Sequence, residues 1–246
     1  MSRQPILLSW SGGKDCALAL QALGDSPSLQ VVGLVSGICD DTGRLAIHEA
    51  PRTLLQQQAM SLGLPWLEVP LPAQASNQQY EAAWREFFRS QVDRGIRHVA
   101  YGDLFLEDIR AYRVAFLQGQ GIEPVFPIWG RSTSELALAA IAGGLKAIVC
   151  SIDHQRLDRR FVGREFDRQF VRDLPPGVDP CGENGEFHTF VYDGPGFAWP
   201  VPFGRGEVCR RGSVDFCDLI PVQPSVSASA TAEPRGQGSL CPAATM

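Results

Sequence analysis

Apolar residues along this chain fall into two alternating rhythms. Short runs rich in branched side chains, at 6–10, 30–35, 66–69, 98–101, 124–126 and 147–150, read as strands. Between them apolar positions recur three and four residues apart, the helical period. The clearest case spans 78–92, where Tyr80, Ala83, Trp84, Phe87 and Phe88 share one face, Ser76 or Asn77 offers a cap and Gly95 a stop. Further helices are predicted over 15–23, over 52–62 closed by Gly63, over 108–118 closed by Gly119, and over 133–142, where Ser132 and Glu135 fit a capping box. Strand and helix in alternation imply right-handed crossovers, hence a doubly wound α/β domain with a parallel sheet of about five strands, covered on both faces. Ligands of such sheets sit beyond the carboxyl ends of the strands, so the residues that follow each strand are the candidates for chemistry.

After Cys150 the alternation ends and the chain turns to Arg, Asp, Gly and Pro. The expected organisation is a sheet domain over 1–128, a smaller α+β region over 129–222, and a tail over 223–246 too poor in apolar anchors to pack. With 44% hydrophobic and 20% charged residues in 246, the composition is that of a globular chain, and the net charge of -5 argues against a protein that coats nucleic acid. Seven cysteines (Cys16, Cys39, Cys150, Cys181, Cys209, Cys217, Cys241) show no C-x-x-C spacing, which suits a reducing cytosol. The apolar run Pro5-Ile6-Leu7-Leu8 is too short for a signal-peptide core, and no run approaches the roughly 20 residues of a membrane helix, so a cytoplasmic protein is expected.

The turn between the first strand and first helix reads Ser-Gly-Gly-Lys-Asp, within SWSGGKDCALAL at 9–20. Glycines there expose backbone N–H groups at a helix N-terminus, where an anion is favoured, although an ordinary strand-to-helix turn has the same composition. A Walker loop is excluded by spacing, since Leu8 stands where its first glycine belongs and Asp15 where its hydroxyl belongs. The stretch SGGKDC resembles the PP-loop, S-G-G-x-D-S, of the N-type ATP pyrophosphatases, of the HUP fold type, which split ATP between the α and β phosphates. That resemblance makes Ser9, Ser11, Gly12, Gly13, Lys14, Asp15 and Cys16 nucleotide contacts. Cys16 replaces the usual serine, either as a conservative swap with a weaker donor or as a thiol whose pKa the helix N-terminus lowers.

Two more stretches follow expected strand ends. YGDLFLEDIRAYRV, at 101–114, gathers Asp103, Glu107, Asp108, Arg110 and Arg113; taken alone, it reads first as a capped helix start with an exposed Glu107/Arg110 pair, and its place after a strand is what makes it a site candidate. CGENGEFHTFVYDGP, at 181–195, sets Glu183, Asn184, Glu186, His188 and Thr189 around Asn184-Gly185, a hairpin signal. Taken in order, the loop, His48, Gly102 to Arg113, GIEPVFPIW at 121–129 and Glu183 to Thr189 resemble the diphthine–ammonia ligase family, over nearly the whole chain to about residue 220. The final motif, E-N-G-E-F-H-T, departs from the E-G-G-E-[FY]-E-T of diphthamide-making members and resembles a bacterial branch for which a corrinoid link has been suggested.

The resemblance implies that a substrate carboxylate, small or protein-borne, is adenylated by ATP with Mg²⁺ and then amidated by ammonia. It implies catalytic roles for Lys14, Asp15, Asp103, Glu183, Glu186 and His188, and nucleotide contacts that also include Ser36, Gly37, His48, Gly102 and Asp103. Arg110, Arg113, Glu183, Asn184, Glu186, His188 and Thr189 would face the acceptor, and Asp15 or Asp103 would anchor Mg²⁺. A homodimer is compatible with this picture; membrane and nucleic acid are not expected partners.

Competing readings rest on fewer residues. Arg164, Arg168 and Arg172 at helical spacing form an anion-binding stripe or, with interleaved acids, a solvated face. PP-loop enzymes also thiolate tRNA, but that chemistry calls for reactive cysteines, and Cys181 is the only cysteine in a candidate site outside the loop. A structural metal held by Cys181, His188 and His154 lacks close ligand pairs. A non-catalytic ATP sensor is the remaining alternative.

Overall fold

The computed structural model describes residues 2–45 and 50–222. His48, expected at the nucleotide, and the tail expected over 223–246 lie outside the described residues.

Five parallel strands make the first sheet: β1 (Gln4–Ser9), β2 (Leu29–Cys39), β4 (Trp66–Leu71), β5 (His98–Ala100) and β6 (Glu123–Val125). The short β3 (Arg44–Leu45) runs antiparallel to the end of β2. Leu34 pairs with Leu8 on one side and Trp66 on the other, so β1 and β4 flank β2; β5 and β6 continue beyond β1. The chain therefore winds outward from β1 to β4, then returns to the opposite edge of β1 at β5. Such a reversal opens a crevice at the carboxyl ends of the central strands.

Side chains along β1 alternate between two cores, as the pleat demands. Ile6 and Leu8 pack with α1 (Lys14–Gly24) and α2 (Arg52–Ser61), whereas Leu7 joins Trp84 and Phe88 of α3 (Asn77–Asp93) and Phe116 of α4 (Glu107–Leu117). Ser76 and Gln79 form a reciprocal capping box at α3, and Gly95 takes the positive φ that ends it. Ser132 also caps α5 (Thr133–Ala142), accepting from the Glu135 amide.

The run at 147–150 departs from the expected series. It belongs to β7 (Lys146–Asp153), which pairs antiparallel with β8 (Phe187–Asp193) and β10 (Val214–Pro221) in a second sheet, completed by β9 (Phe203–Arg211). Pro124, at the centre of three-residue β6, lacks an N–H and marks an edge that takes no further strand. The second sheet packs on the α1 and α2 side, where Phe187, Phe190 and Val191 share one core with Leu8 and Leu55.

The arginine stripe does not form. Gly163 at φ 77° separates a short 3₁₀ turn (Arg159–Phe161) from α6 (Arg168–Asp173), so Arg164 lies off the helix and bonds Asp173 at 2.8 Å. Two of the interleaved acids serve as caps: Asp158 and Asp167 accept the Arg160 and Phe170 amides. Asn184-Gly185 is likewise a turn but no hairpin, since the partner of β8 is the earlier β7. No helix among the described residues is long and apolar enough to cross a membrane.

Candidate active site

The loop after β1 is held from below by a residue that sequence reasoning passed over. Gln58 of α2 is fully buried; its Nε2 donates to the carbonyls of Gly12 (2.9 Å) and Val191 (2.5 Å), and its Oε1 accepts from Trp10 Nε1 (2.8 Å). The Val191 amide in turn donates to the Gly12 carbonyl at 2.8 Å, joining the loop to β8. Gly12 turns at φ 76°, and a Cβ there would lie 2.7 Å from Leu55 and 2.8 Å from Gln58. Its signal was a lone amide on the apolar face of a helix, between Leu54, Leu55 and Ala59.

Thr189 reaches the same loop from β8. Its Oγ1 accepts from the Lys14 amide at 3.0 Å and so caps α1, whose N-cap residue, Gly13, has no side chain to do so. Lys14 points away from solvent. Its ammonium meets Asp15 Oδ2 at 2.9 Å and lies 5.1 Å from the centre of the Phe187 ring. Burial works against the Lys14 charge, but Asp15, with Cys181 and Glu183, more than offsets it and the pKa ends above its ordinary value. Burial also pushes Asp15 up, against the pull of Lys14. Asp15 Oδ1 is buried and has no partner.

Cys16 answers one question left by the motif. Burial pushes its thiol up to about 11, overriding any pull from the helix N-terminus, and its Sγ donates to the Gly13 carbonyl at 3.0 Å. The group is therefore a neutral donor at pH 7, not a thiolate.

The second stretch closes over the first. Gly102 packs directly on the start of α1: a Cβ on it would sit 2.7 Å from the Asp15 carbonyl carbon and 2.9 Å from the Cys16 nitrogen. Only glycine allows that approach. Asp103 holds Arg113 through two bonds, at 2.5 and 3.0 Å, and the guanidinium lies 4.0 Å from the centre of the Tyr101 ring. Arg110 turns outward instead, stacked 4.7 Å over Trp129, with Glu107 at 3.9 Å.

The third stretch is organised by Asp179, also missed by sequence reading. Its Oδ1 accepts from the amides of Cys181 (2.9 Å) and Glu183 (3.2 Å), and its Oδ2 from Thr133 Oγ1 at 2.6 Å. The Asp-Pro-Cys-Gly sequence at 179–182 is the corresponding signal, an aspartate placed to fold the backbone that follows it. Glu183 is thereby aimed at the loop after β5, where Oε1 accepts from the amides of Leu104 (2.7 Å) and Phe105 (3.4 Å). Burial raises its pKa to about 7, assisted by Asp15 and Asp103 and opposed by those amide bonds. His188 moves the other way, to about 4, through burial and the Lys14 charge, with Glu186 opposing. Glu186 is buried beneath the turn, its Oε1 accepting from the Asp179 amide (3.1 Å) and Asn184 Nδ2 (3.0 Å).

These contacts bring the three stretches to one cleft of about 210 Å³, lined by Ser9, Ser11, Asp15, Cys16, Gly102, Asp103, Arg113, Glu183 and His188. A second hollow of about 180 Å³ adjoins it and shares Ser9, Ser11 and Arg113; its walls include Ser36, Gly37, Tyr80 and Trp84. Ser36 donates to the Trp10 carbonyl (2.6 Å) and accepts from Trp66 (3.0 Å), which leaves its position, not its hydroxyl, to shape the hollow. Gly12, Gly13, Lys14, Arg110, Asn184, Glu186 and Thr189 stand outside both linings. Two larger hollows, about 570 and 690 Å³, lie at the amino ends of the strands, by Gln30 and His98, and are lined by none of the candidate catalytic or binding residues. Among the described residues no cluster of His, Cys, Asp or Glu is arranged to hold a metal through three protein ligands.

Residues 133–215 match the family model described as the diphthamide synthase C-terminal domain. Two curated relatives, both diphthine–ammonia ligases, one from Schizosaccharomyces pombe and one from Bos taurus, are 26% identical to the chain over 103 residues. That stretch is 40% of this chain but 17% of the yeast protein and 39% of the bovine one, so the match spans less than half of either relative. Both kinds of comparison point to the name that the three motifs suggest: over these stretches the chain is similar to the diphthine–ammonia ligases.

Proposed function

We propose that the chain is an AMP-forming amide ligase, joining ammonia to a carboxylate at the expense of ATP. The observation that carries this reading is the cleft walled by Ser11, Asp15 and Cys16 of the loop after β1, by Asp103 and Arg113, and by Glu183 and His188. A carboxylate does not exchange its oxide for an amine unaided, because the leaving group is too basic. Attack of one carboxylate oxygen on the α-phosphorus expels pyrophosphate towards Ser11, Gly12, Gly13 and Lys14, where the start of α1 favours negative charge. Ammonia then displaces AMP from the acyl-adenylate, and one proton must leave the nitrogen. Glu183, poised near pH 7 in the cleft, is suited to accept it, while His188 stays neutral. The adjoining hollow at Ser36 and Gly37 has room for the adenine ring. Arg113, held by Asp103, lines both hollows and would stand between base and acceptor.

Mg²⁺ would neutralise charge on the phosphates. Asp15 fits it, because Oδ1 is a buried carboxylate oxygen without a partner, and Mg²⁺ in such sites needs only one or two carboxylates beside phosphate and water. Asp103 fits less well, since Arg113 occupies both its oxygens. For the acceptor, diphthine and the side-chain acids of corrinoids are the two candidates, His188 in place of a glutamate favouring the second. Thiolation of tRNA is disfavoured by buried thiols: Cys16 at about 11 and Cys181 at about 12 are both protonated at neutral pH.

Incubation with ATP, Mg²⁺, ammonium and each candidate acid should release AMP and pyrophosphate only when the acid is present. ADP as the product would overturn the reading. Bound but intact ATP under every condition would replace it with a nucleotide sensor.

A further inference from the structure

We infer that Gln58 is the positioning residue of the phosphate loop and the joint through which that loop is locked to the acceptor strand β8. The inference rests on the ATP-dependent reading for its kinetic consequences, but its structural content stands apart from that reading.

A primary amide offers two donors and one acceptor oxygen, and Gln58 commits both donors and that oxygen to partners distant in sequence. Trp10 and Gly12 belong to the loop; Val191 belongs to β8, two residues beyond the Thr189 that caps α1. The amide cannot be turned over, because its oxygen would then face two carbonyls and its nitrogen would face the Trp10 N–H. Its orientation, and through it that of the Gly12 carbonyl, is thus set by the whole arrangement. The peptide that presents the Gly12 carbonyl to Gln58 also carries the Gly13 amide, which must face the opposite way because a trans peptide opposes its N–H and C=O. Gly13 N–H is one of the donors on which an anion at this loop would depend; among the described residues its contact is a long one, 3.4 Å to Ser11 Oγ. Gln58 therefore acts on the phosphate side of the loop from behind, without touching ligand.

The shared partner gives the second half of the inference. One Nε2 holds the loop and β8 together, and the Val191 amide adds a bond from β8 to the same Gly12 carbonyl. His188 and Thr189 ride on that strand. Movement of the loop as pyrophosphate leaves would be transmitted to the strand that carries the acceptor-facing residues. Weakening the joint should therefore affect the nucleotide first and, through β8, the acceptor acid, while ammonium, which no bond of Gln58 reaches, keeps its affinity.

The test compares the full chain with Gln58→Met, which keeps length and loses every hydrogen bond, and with the milder Gln58→Asn in case the first does not fold. Amide hydrogen exchange without nucleotide should show lost protection in the Trp10–Lys14 segment while α3 and β5 stay protected. Titration calorimetry with ATP should show binding weakened about tenfold or more, and KM for ATP should rise with KM for ammonium unchanged. A purely structural glutamine would lower the melting temperature and leave both the exchange of the loop and the ATP affinity of the folded protein within about twofold, as judged against the usual worth of one weak contact, and that result overturns the inference. Should the parent chain itself fail to bind ATP, the ligase reading falls, and loop protection alone still decides the role of Gln58.

Discussion

Glu183 and His188 face one cleft and titrate in opposite senses, and their opposition can be measured. Burial lifts Glu183 from 4.5 to about 7 and lowers His188 from 6.5 to about 4. For Glu183 the folded state binds its proton more tightly than the unfolded chain, so its contribution to stability is complete below about pH 4.5 and is lost as pH rises through 7. For His188 the folded state resists protonation, so its contribution is complete above pH 6.5 and is lost as pH falls through 4. Each displacement corresponds to about 3 kcal/mol at most, less whatever solvent reaching the cleft screens. Between pH 4.5 and 6.5 the two slopes oppose each other, and the parent protein should show a nearly level stability from this pair. Removing one partner exposes the other. In Glu183→Gln, whose amide oxygen can still accept from Leu104, stability should climb with pH across that interval; in His188→Gln it should fall. Urea denaturation at half-unit steps of pH reads both. Two variants whose stability curves run parallel to the parent would show that these side chains do not titrate as their surroundings dictate, and the assignment of Glu183 as proton acceptor would go with them.

Two other substitutions probe the loop. Gly102→Ala places a methyl against the backbone of Asp15 and Cys16, where nothing flexible can yield, so it should cost about 1–3 kcal/mol and reduce acid-dependent pyrophosphate release more than its stability loss explains; denaturation and product assays together check this. Cys16→Ser should keep pyrophosphate release within about threefold of the parent, the size of effect expected when one neutral donor replaces another, and iodoacetamide should not inactivate the parent; rapid inactivation at pH 7 through Cys16 would contradict the buried, protonated thiol.

What the chain discloses before folding is governed by range. Helices α3 and α5 were legible to within a residue because periodicity, cap and stop all lie within a single stretch of sequence. The three motifs were legible for a related reason: each is a local run placed after a strand, and parallel topology delivers such runs to one edge. Failures arose where a long-range choice decided. The run at 147–150 has the composition of any buried strand, and only β6, three residues with a proline at its centre, shows why it must pair elsewhere. Strand β9 escaped notice because Gly204, Gly206 and alternating exposed polar residues mask its period. Arg164, Arg168 and Arg172 fit a helical spacing, yet Gly163 and the capping aspartates broke that helix first. Gln58 and Asp179 share the deepest cause. Neither belongs to a motif, and each matters through backbone groups it bonds far away in the chain or in a tight turn: a loop carbonyl and a strand carbonyl in one case, two turn amides in the other. A cleft assembled from separate stretches needs such residues behind it, and in sequence they are visible only as polar side chains where an apolar or neutral one would have served.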